Sequence, residues 1–490
     1  MSKPRLSSVP RHAAVGFALL LAAPPALAAQ VRLTLADAIR IAQEQGFQAR
    51  AAEAALEAAR YRGRAFHSRL LPQLTLGGTV PAYNRAIIPV VQPDGSTLFR
   101  PQQQTNASLN MTLSQKLPVT GGDLFVSSSL ARLTVSGQQS IETWSSTPIA
   151  IGLRQEILRP NTSGWDRREQ DVRSERDERF FREAMEDVAL QITGLFFDVY
   201  AARVAFDNAV TNAAVNDTLY TLNTGRYEVG RIGENDLLQS ELALLRSRTS
   251  LDGARLEYER ARAALRLALN LPPGTAIAVE VTSVVPALTI DTAQAAVQAL
   301  NNRSDVTDVE LQDVQARRRV TEAKLAGGPG ATLQATYGWN AIAPEAGLVY
   351  RDLLEQQQLT VSVQLPLWRW GAHGEGVHAA EADQERTEAL GEASLEQVAH
   401  EARFAALQLM QAERNVALTA KADTVAGKRF EVAYNRYVIG RIAIDNLYIA
   451  QGEKDQALTV FVQALRNYWQ AYYRLRRTTL FDFEAGRPIR

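Results

Sequence analysis

Two hydrophobic periods alternate along this chain. From Phe181 through Met185, Val188, Ile192, Leu195, Val199, Ala202 and Phe206 to Ala209, apolar residues recur at alternating spacings of four and three. That heptad stripe is the pattern of helices packed by knobs into holes. Further on, Leu251, Ala254, Tyr258, Ala261, Leu265 and Ala268 form a similar stripe, while Leu238, Leu242, Leu245 and Thr249 begin a second one on another face. Stripes on two faces ask for neighbours on both sides, as in a ring of helices. An ordinary amphipathic helix would carry one broad stripe over about 11–12 residues. The run 165–226 contains no proline and predicts a single helix on the order of 90 Å long. The Ala- and Glu-rich run 34–64 predicts another helix.

The other period is two. Strand-like alternation runs over 73–80, 108–117, 124–135 and 148–158, and again over 331–339 and 358–368. Leu74, Leu76 and Val80 share one side of the first, and Leu359, Val361, Val363 and Leu365 share one side of the last. Turn clusters such as Pro93-Asp94-Gly95 and Thr120-Gly121-Gly122 separate them. Such strands are long enough to cross a bilayer when tilted. Lipid cannot satisfy an open sheet edge, so strands in a membrane must close into a barrel. Bacterial barrels need at least about eight strands, and this chain offers four to six. Several copies must therefore share one barrel. Trp368 and Trp370 end the last strand, where aromatic residues either mark a membrane–water interface or pack between strand and helix.

The chain is also a duplication. Arg226-Tyr227-Glu228-Val229-Gly230-Arg231-Ile232 returns 210 positions later as Arg436-Tyr437-Val438-Ile439-Gly440-Arg441-Ile442. Leu237 matches Leu447, Val188-Ala189 matches Val398-Ala399, and Arg159 matches Arg369 at that same offset. Near the start, 34–42 aligns with 292–300 at an offset of 258, which leaves about 48 extra residues in the first copy between roughly 81 and 147. The first repeat is read as 29–270 and the second as 271–490. Each runs helix, β segment, long helix, sharp turn and long returning helix, and together they form one elongated protomer. In the repeated turns, Gly230 and Gly440 can adopt positive φ and stop a helix. Asn235 or Asp236, and Asp445 or Asn446, are expected to cap the returning helices.

Composition narrows the function classes. Lys3, Arg5 and Arg11, an apolar run over 13–23, and Ala26-Leu27-Ala28 read as a cleaved secretory signal at 1–28. The apolar run is too short to span a bilayer, and no other stretch approaches ~18 unbroken apolar residues. The 53 basic and 53 acidic residues become 50 and 53 once the signal is removed, a balance that points to no nucleic acid. The chain has no cysteine, which excludes disulfides, thiolate metal sites, a thiol nucleophile and a lipid-modified cysteine anchor. His373, Glu375 and His378 lie close together, but zinc proteases need two histidines four apart on one helical face, and here they are five apart between glycines. A polar strand-to-helix junction is the simpler reading. No nucleophile elbow, phosphate-cradling loop or dinucleotide fingerprint occurs. No catalytic residue, metal or cofactor is expected, and the protein is read as not an enzyme.

These features resemble the outer-membrane efflux family, TolC and its relatives. The resemblance rests on the duplication, the Tyr-x-x-Gly turn followed by Asp/Asn-Leu, and the ends Asn270-Leu271-Pro272 and Arg474-Leu475. It rests also on the passage Gln155-Glu156-Ile157-Leu158-Arg159 with its counterpart Gln364-Leu365-Pro366-Leu367-Trp368. It covers nearly the whole chain beyond the signal. It implies a mainly α chain with a membrane β portion, in a homotrimer whose 12-stranded barrel in outer-membrane lipid continues into a long α-helical periplasmic barrel. It implies that Tyr227, Gly230, Arg231, Ile232, Tyr437, Gly440, Arg441 and Ile442 form tips that dock a periplasmic adaptor, itself coupled to an inner-membrane transporter. The gate would lie around Asp236, Leu237, Asp445, Asn446 and Ile449. The best-known member rings its closed gate with acidic residues, where the second copy here has Asn446 and Ile449. Three placements fit the extra residues of the first copy: an extracellular hairpin, a plug, or added barrel strands. The alternative from another class is a secreted periplasmic α-helical coiled-coil scaffold or adaptor whose strands face water. A weaker one is a metal-dependent periplasmic enzyme at His373 and His378.

Overall fold

The computed structural model describes residues 31–136, 140–282, 284–286 and 288–489; the expected signal at 1–28 lies outside them. In chain order the elements are β1 (Val31–Leu33), α1 (Leu35–Gln45), α2 (Phe47–Arg69), β2 (Gln73–Val91), β3 (Thr97–Leu117), β4 (Gly122–Ser136), β5 (Ser140–Ile157), α3 (Thr162–Glu228) and α4 (Glu234–Ala268). The second half follows with β6 (Ile277–Val279), α5 (Thr292–Asn302), α6 (Ser304–Ala326), β7 (Gly330–Ala343), β8 (Leu354–Gln364), α7 (Ala372–Val438), α8 (Ile444–Thr479), β9 (Phe481–Asp482) and β10 (Arg487–Pro488).

The repeat is exact in its long helices. α3 and α7 are each 67 residues, about 100 Å, and start and stop 210 positions apart. The upstream offset needs correcting by one. α1 and α2 correspond to α5 and α6 at 257 positions, with helix caps Thr34 and Asp291 in equivalent places, so the first copy carries 47 extra residues. The single helix expected over 34–64 is two helices. Gly46, at φ −64° and ψ 150°, is extended and breaks it, and Arg303 does the same at φ −70° and ψ 149° in the second copy.

Helices α2 and α4 lie along one side of α3, and α6 and α8 along its other side; α6 and α8 in turn pack on α7. One chain thus supplies four helical columns of an open wall, with α7 at one margin and α2 and α4 at the other. Halfway along the long helices sits the main core. Val188, Ile192, Phe196 and Phe197 of α3, Ala402 and Leu409 of α7, and Leu465 and Tyr468 of α8 pack there against α1, α5 and the parallel pair β1–β6. By composition α3 holds a window apolar enough to cross a bilayer, but these core residues show that its apolar stripe is used in packing.

Around this waist runs a set of partly buried ion pairs. Arg303, almost fully enclosed, reaches Asp305 and Glu401 at 2.7 Å each. The carboxylate of Glu183 accepts the backbone N–H of Ser304 at 2.7 Å, which satisfies the open start of α6 where no side chain of its own caps it. Arg303 holds the Glu401 carboxyl below its usual range. A depressed carboxylate contributes stability above its ordinary pKa and loses it as pH falls through the folded value. Glu401→Gln should therefore lower the melting temperature at pH 7, by about 1 kcal/mol of stability given its partial exposure. Melting curves of variant and native protein should converge as pH drops below about 4.

Candidate functional site: a two-faced sheet above paired helical tips

At one end of the helices, β2-β3-β4-β5-β7-β8 form a single antiparallel sheet of six strands in that order. All six expected strands are present and mostly longer than their alternation alone suggested; β2 has 19 residues and β3 has 21. The last ends earlier, at Gln364, because Pro366 cannot donate to a ladder. Trp368 and Trp370 therefore lie beyond the strand, edge to face at 5.3 Å and exposed, not packed between strand and helix.

Residues paired directly across antiparallel strands share a face, so the register sorts the side chains between the irregularities at Thr79/Ala82, Ser127/Ser129 and Ser146/Ile149. One face is apolar across all six strands. Leu74 and Leu76 oppose Leu113 and Met111, and Leu113 opposes Val126. Val126 opposes Ile151, Ile151 opposes Tyr337, and Leu333 opposes Val361. These side chains are largely exposed in the single chain. On the other face Thr75 opposes Thr112, which opposes Ser127; Gly152 opposes Thr336, which opposes Gln358. The aromatic pair Tyr337–Trp339 sits near the far end of the apolar band and Trp368–Trp370 beyond its near end. An apolar band edged by aromatic residues on both sides, with a polar reverse, is what a lipid-facing barrel wall requires.

The other end of the helices carries the repeated turns. Each closes the same way. Gly230 (φ 71°) and Gly440 (φ 74°) donate to the carbonyls of Tyr227 and Tyr437 at 2.9 Å. Arg231 and Arg441 donate to those of Arg226 and Arg436 at 2.8 and 2.9 Å. This paired 5→2 and 6→1 bonding is the Schellman stop with glycine in the left-handed position. The expected caps of the returning helices are not used as caps. Gly233 and Ala443 hold those positions without side-chain bonds. Asp236 and Asp445 lie instead in the first turns, where negative charge favours the helix dipole, and Asn235 and Asn446 sit beside them.

The two tips differ in surroundings. Tyr437 is only 4 % exposed, and its hydroxyl donates to Asn223 at 2.6 Å. Arg226 reaches over from the first tip, donating to the Val438 carbonyl at 2.8 Å with its guanidinium 5.2 Å from the Tyr437 ring. Tyr227, at the equivalent place, is 42 % exposed. Tyr437 thus braces one turn against the other and leaves the exposed tip set, which keeps Tyr227, Gly230, Arg231, Gly440 and Arg441, with Ile232 and Ile442 half-buried. Of the gate residues, Leu237 and Asp236 are half-buried and Asp445, Asn446 and Ile449 are exposed, while their neighbours Ile444 and Leu447 join Leu219 in a small core. Asp445 accepts a hydrogen bond from Gln239 Nε2 at 2.5 Å, so the two returning helices meet there. Burial pushes the Tyr448 phenol beside them up to about 12.

Asn223 was not singled out in the sequence, and Arg226 entered only as the first residue of the repeated motif. The signal was present, because Asn223 falls opposite Ala433 at the repeat offset of 210, a place where the two copies disagree. His373 and His378 open α7 without coming together. His373 packs over Gly327, and His378 faces Glu381 at 3.7 Å.

No protein-family model matches this chain, and no curated protein is similar to it in sequence. Its structure is similar to that of the Campylobacter jejuni CmeC outer membrane channel, with a TM-score of 0.65, 15 % identity, and 93 % of this chain and 86 % of that one covered. The outer membrane protein VceC from Vibrio cholerae gives 0.63 and 14 %, covering 93 % and 97 %. The open state of the Neisseria gonorrhoeae MtrE outer membrane channel gives 0.61 and 16 %, covering 91 % and 88 %. A two-faced sheet, a duplicated set of four helical columns and paired glycine turns, aligned over nine-tenths of its length with such channels, give this chain the fold of the TolC-type outer-membrane channels.

Proposed function

We propose that this chain is one subunit of a passive trimeric exit duct, seated in the outer membrane by its sheet and reaching through the periplasm by its helices. The observation that carries this reading is a set of packing positions filled in one repeat and empty in the other. Phe197 of α3 is 1 % exposed, whereas Leu407, its equivalent on α7, is 52 % exposed. Val215 and Leu222 pack on the tip core, whereas their equivalents Val425 and Val432 stand exposed. On α4, Leu238, Leu242 and Leu245 are exposed as well. The margin of α7 is thus what α3 would be with α8 removed, and α4 is the repeat equivalent of α8. Docking α4 of a second copy on α7 fills both, and three copies make a ring of twelve columns. The Arg226–Tyr437 brace would recur between copies as Arg436 against Tyr227 of the next.

The apolar sheet face favours lipid over the water-facing strands of a soluble scaffold. A wall of this kind conducts and performs no chemistry. The exposed turns around Gly230, Arg231, Gly440 and Arg441 would dock a periplasmic adaptor coupled to an inner-membrane transporter, and the gate would lie where α4 and α8 converge near Asp236 and Asp445.

Membrane fractionation with native mass spectrometry tests this directly. The protein is expected in the outer-membrane fraction, extracted only by detergent, as a trimer. A detergent-independent monomer in the soluble periplasm would sink the reading. Arg226→Ala removes the brace between turns and should raise basal conductance of the trimer in planar bilayers several-fold; an unchanged closed level would mean that this brace does not hold the duct closed.

A further inference from the structure

The 47 extra residues of the first repeat have a definite place in the wall. β2 and β7 are repeat equivalents at 257 positions, and the lower ends of β5 and β8 are equivalents at 210. In the second repeat the two strands are direct partners, β7 with β8. In the first they are separated by the whole hairpin β3–β4, which pairs with β2 on one side and β5 on the other. The insertion carries the same two faces as its neighbours. Leu109, Met111, Leu113, Leu124, Val126 and Leu130 fall on the apolar side, and Asn110, Thr112, Ser127 and Ser129 on the polar side. A plug or a water-borne hairpin has no use for an apolar band in register with the rest.

We propose that three copies close a barrel of 18 strands, three sheets of six, in which β8 of one copy pairs with β2 of the next. This rests on the trimeric duct and revises the twelve strands that resemblance implied. Because six is even, the two edge strands run in opposite directions, so joining copies edge to edge continues the antiparallel order. The register also follows from the repeat. β5 and β7 join the two halves of the chain, with Gly152 opposite Thr336. Moving the first by 210 and the second back by 257 places Ser362 opposite Thr79 of the neighbouring copy, both on the polar face.

Circumference supports the count. Four helical columns spaced about 8–10 Å apart supply about 32–40 Å of wall per copy. Six strands about 4.8 Å apart and tilted about 40° supply about 38 Å, whereas four would supply about 25 Å. With six strands the sheet ring matches the helical ring, and the outer mouth is as wide as the tunnel beneath. Barrels of about 16–18 strands leave an open aqueous channel, so the outer portal would impose no narrowing on cargo that has passed the tips.

The absence of cysteine makes the test clean. Single substitutions Met111→Cys and Val126→Cys, carrying a fluorophore, should be quenched strongly by nitroxide lipids. Asn110→Cys and Ser127→Cys should instead react with an impermeant thiol reagent in reconstituted trimers. The double variant Thr79→Cys/Ser362→Cys should convert most of the protein to a covalent trimer on mild oxidation, and neither single variant should. Trimers in which β3 and β4 positions on both faces label from water, without lipid quenching, would overturn the 18-stranded wall and leave the duct intact. Monomers in every variant would overturn both.

Discussion

Val361→Arg is expected to abolish most recovery of trimer from the outer membrane, while Thr360→Arg, one residue away, leaves recovery near that of the native chain. Val361 opposes Leu333 on the apolar face, and Thr360 opposes Gln334 on the polar one. An arginine facing lipid near the midplane costs about 2–4 kcal/mol, and a symmetric trimer would carry three. On the polar face the same side chain meets water and costs little. The measurement is the yield of heat-modifiable trimer in detergent extracts of outer membranes. Equal yields for the two variants would mean that the faces are misassigned, or that neither meets lipid.

The second large effect is expected at the opposite end. Gly440→Val should leave trimers assembled yet remove export in a host that depends on this duct. An added Cβ would meet no atom at Gly440, so sterics with neighbours are not the reason. The reason is the backbone, held at φ 74°, where a β-branched residue is strongly disfavoured, by about 1–2 kcal/mol. That energy is released only by opening the turn, which displaces Arg441 and the start of α8. Growth on a toxic cargo, scored together with trimer yield, separates lost docking from lost folding. Full export with an intact trimer would exclude this turn as the docking surface.

Much of the architecture was legible because it depends on period. Heptad spacing from Phe181 to Ala209 located α3, and the motif around Gly230 and Gly440 located both turns. Strand positions were legible too, but their ends were not. Outside the bilayer-length band, β2 and β3 continue through residues such as Tyr83, Asn84, Gln102 and Gln104 without clean alternation, and pairing alone keeps them extended. The one-residue error in the upstream offset arose from matching Thr34 to Thr292. The equivalent of Thr34 is Asp291, a different residue type doing the same capping. The placement of the insertion was beyond reach, because a hairpin with alternating faces reads the same on the wall, in the pore or outside. Only the register with β2 and β5 distinguishes them. At the site, the turns were found by similarity between copies, and the brace of Arg226, Asn223 and Tyr437 was missed because it depends on their difference.

The hairpin of β2 and β3 outreaches its neighbours. Its paired residues run on to Val91 and Thr97, whereas β4 leaves β3 at Gln103. Its turn at Pro93, Asp94 and Gly95 lies beyond the last pairing of β3 with β4, and nothing lies within 4 Å of a Cβ placed at Gly95. Exposed tips of this kind tolerate insertion and change. In the duct proposed above, antibodies and phage approaching the cell would meet that crest first, so escape from them would proceed there by substitution while the bore keeps its shape.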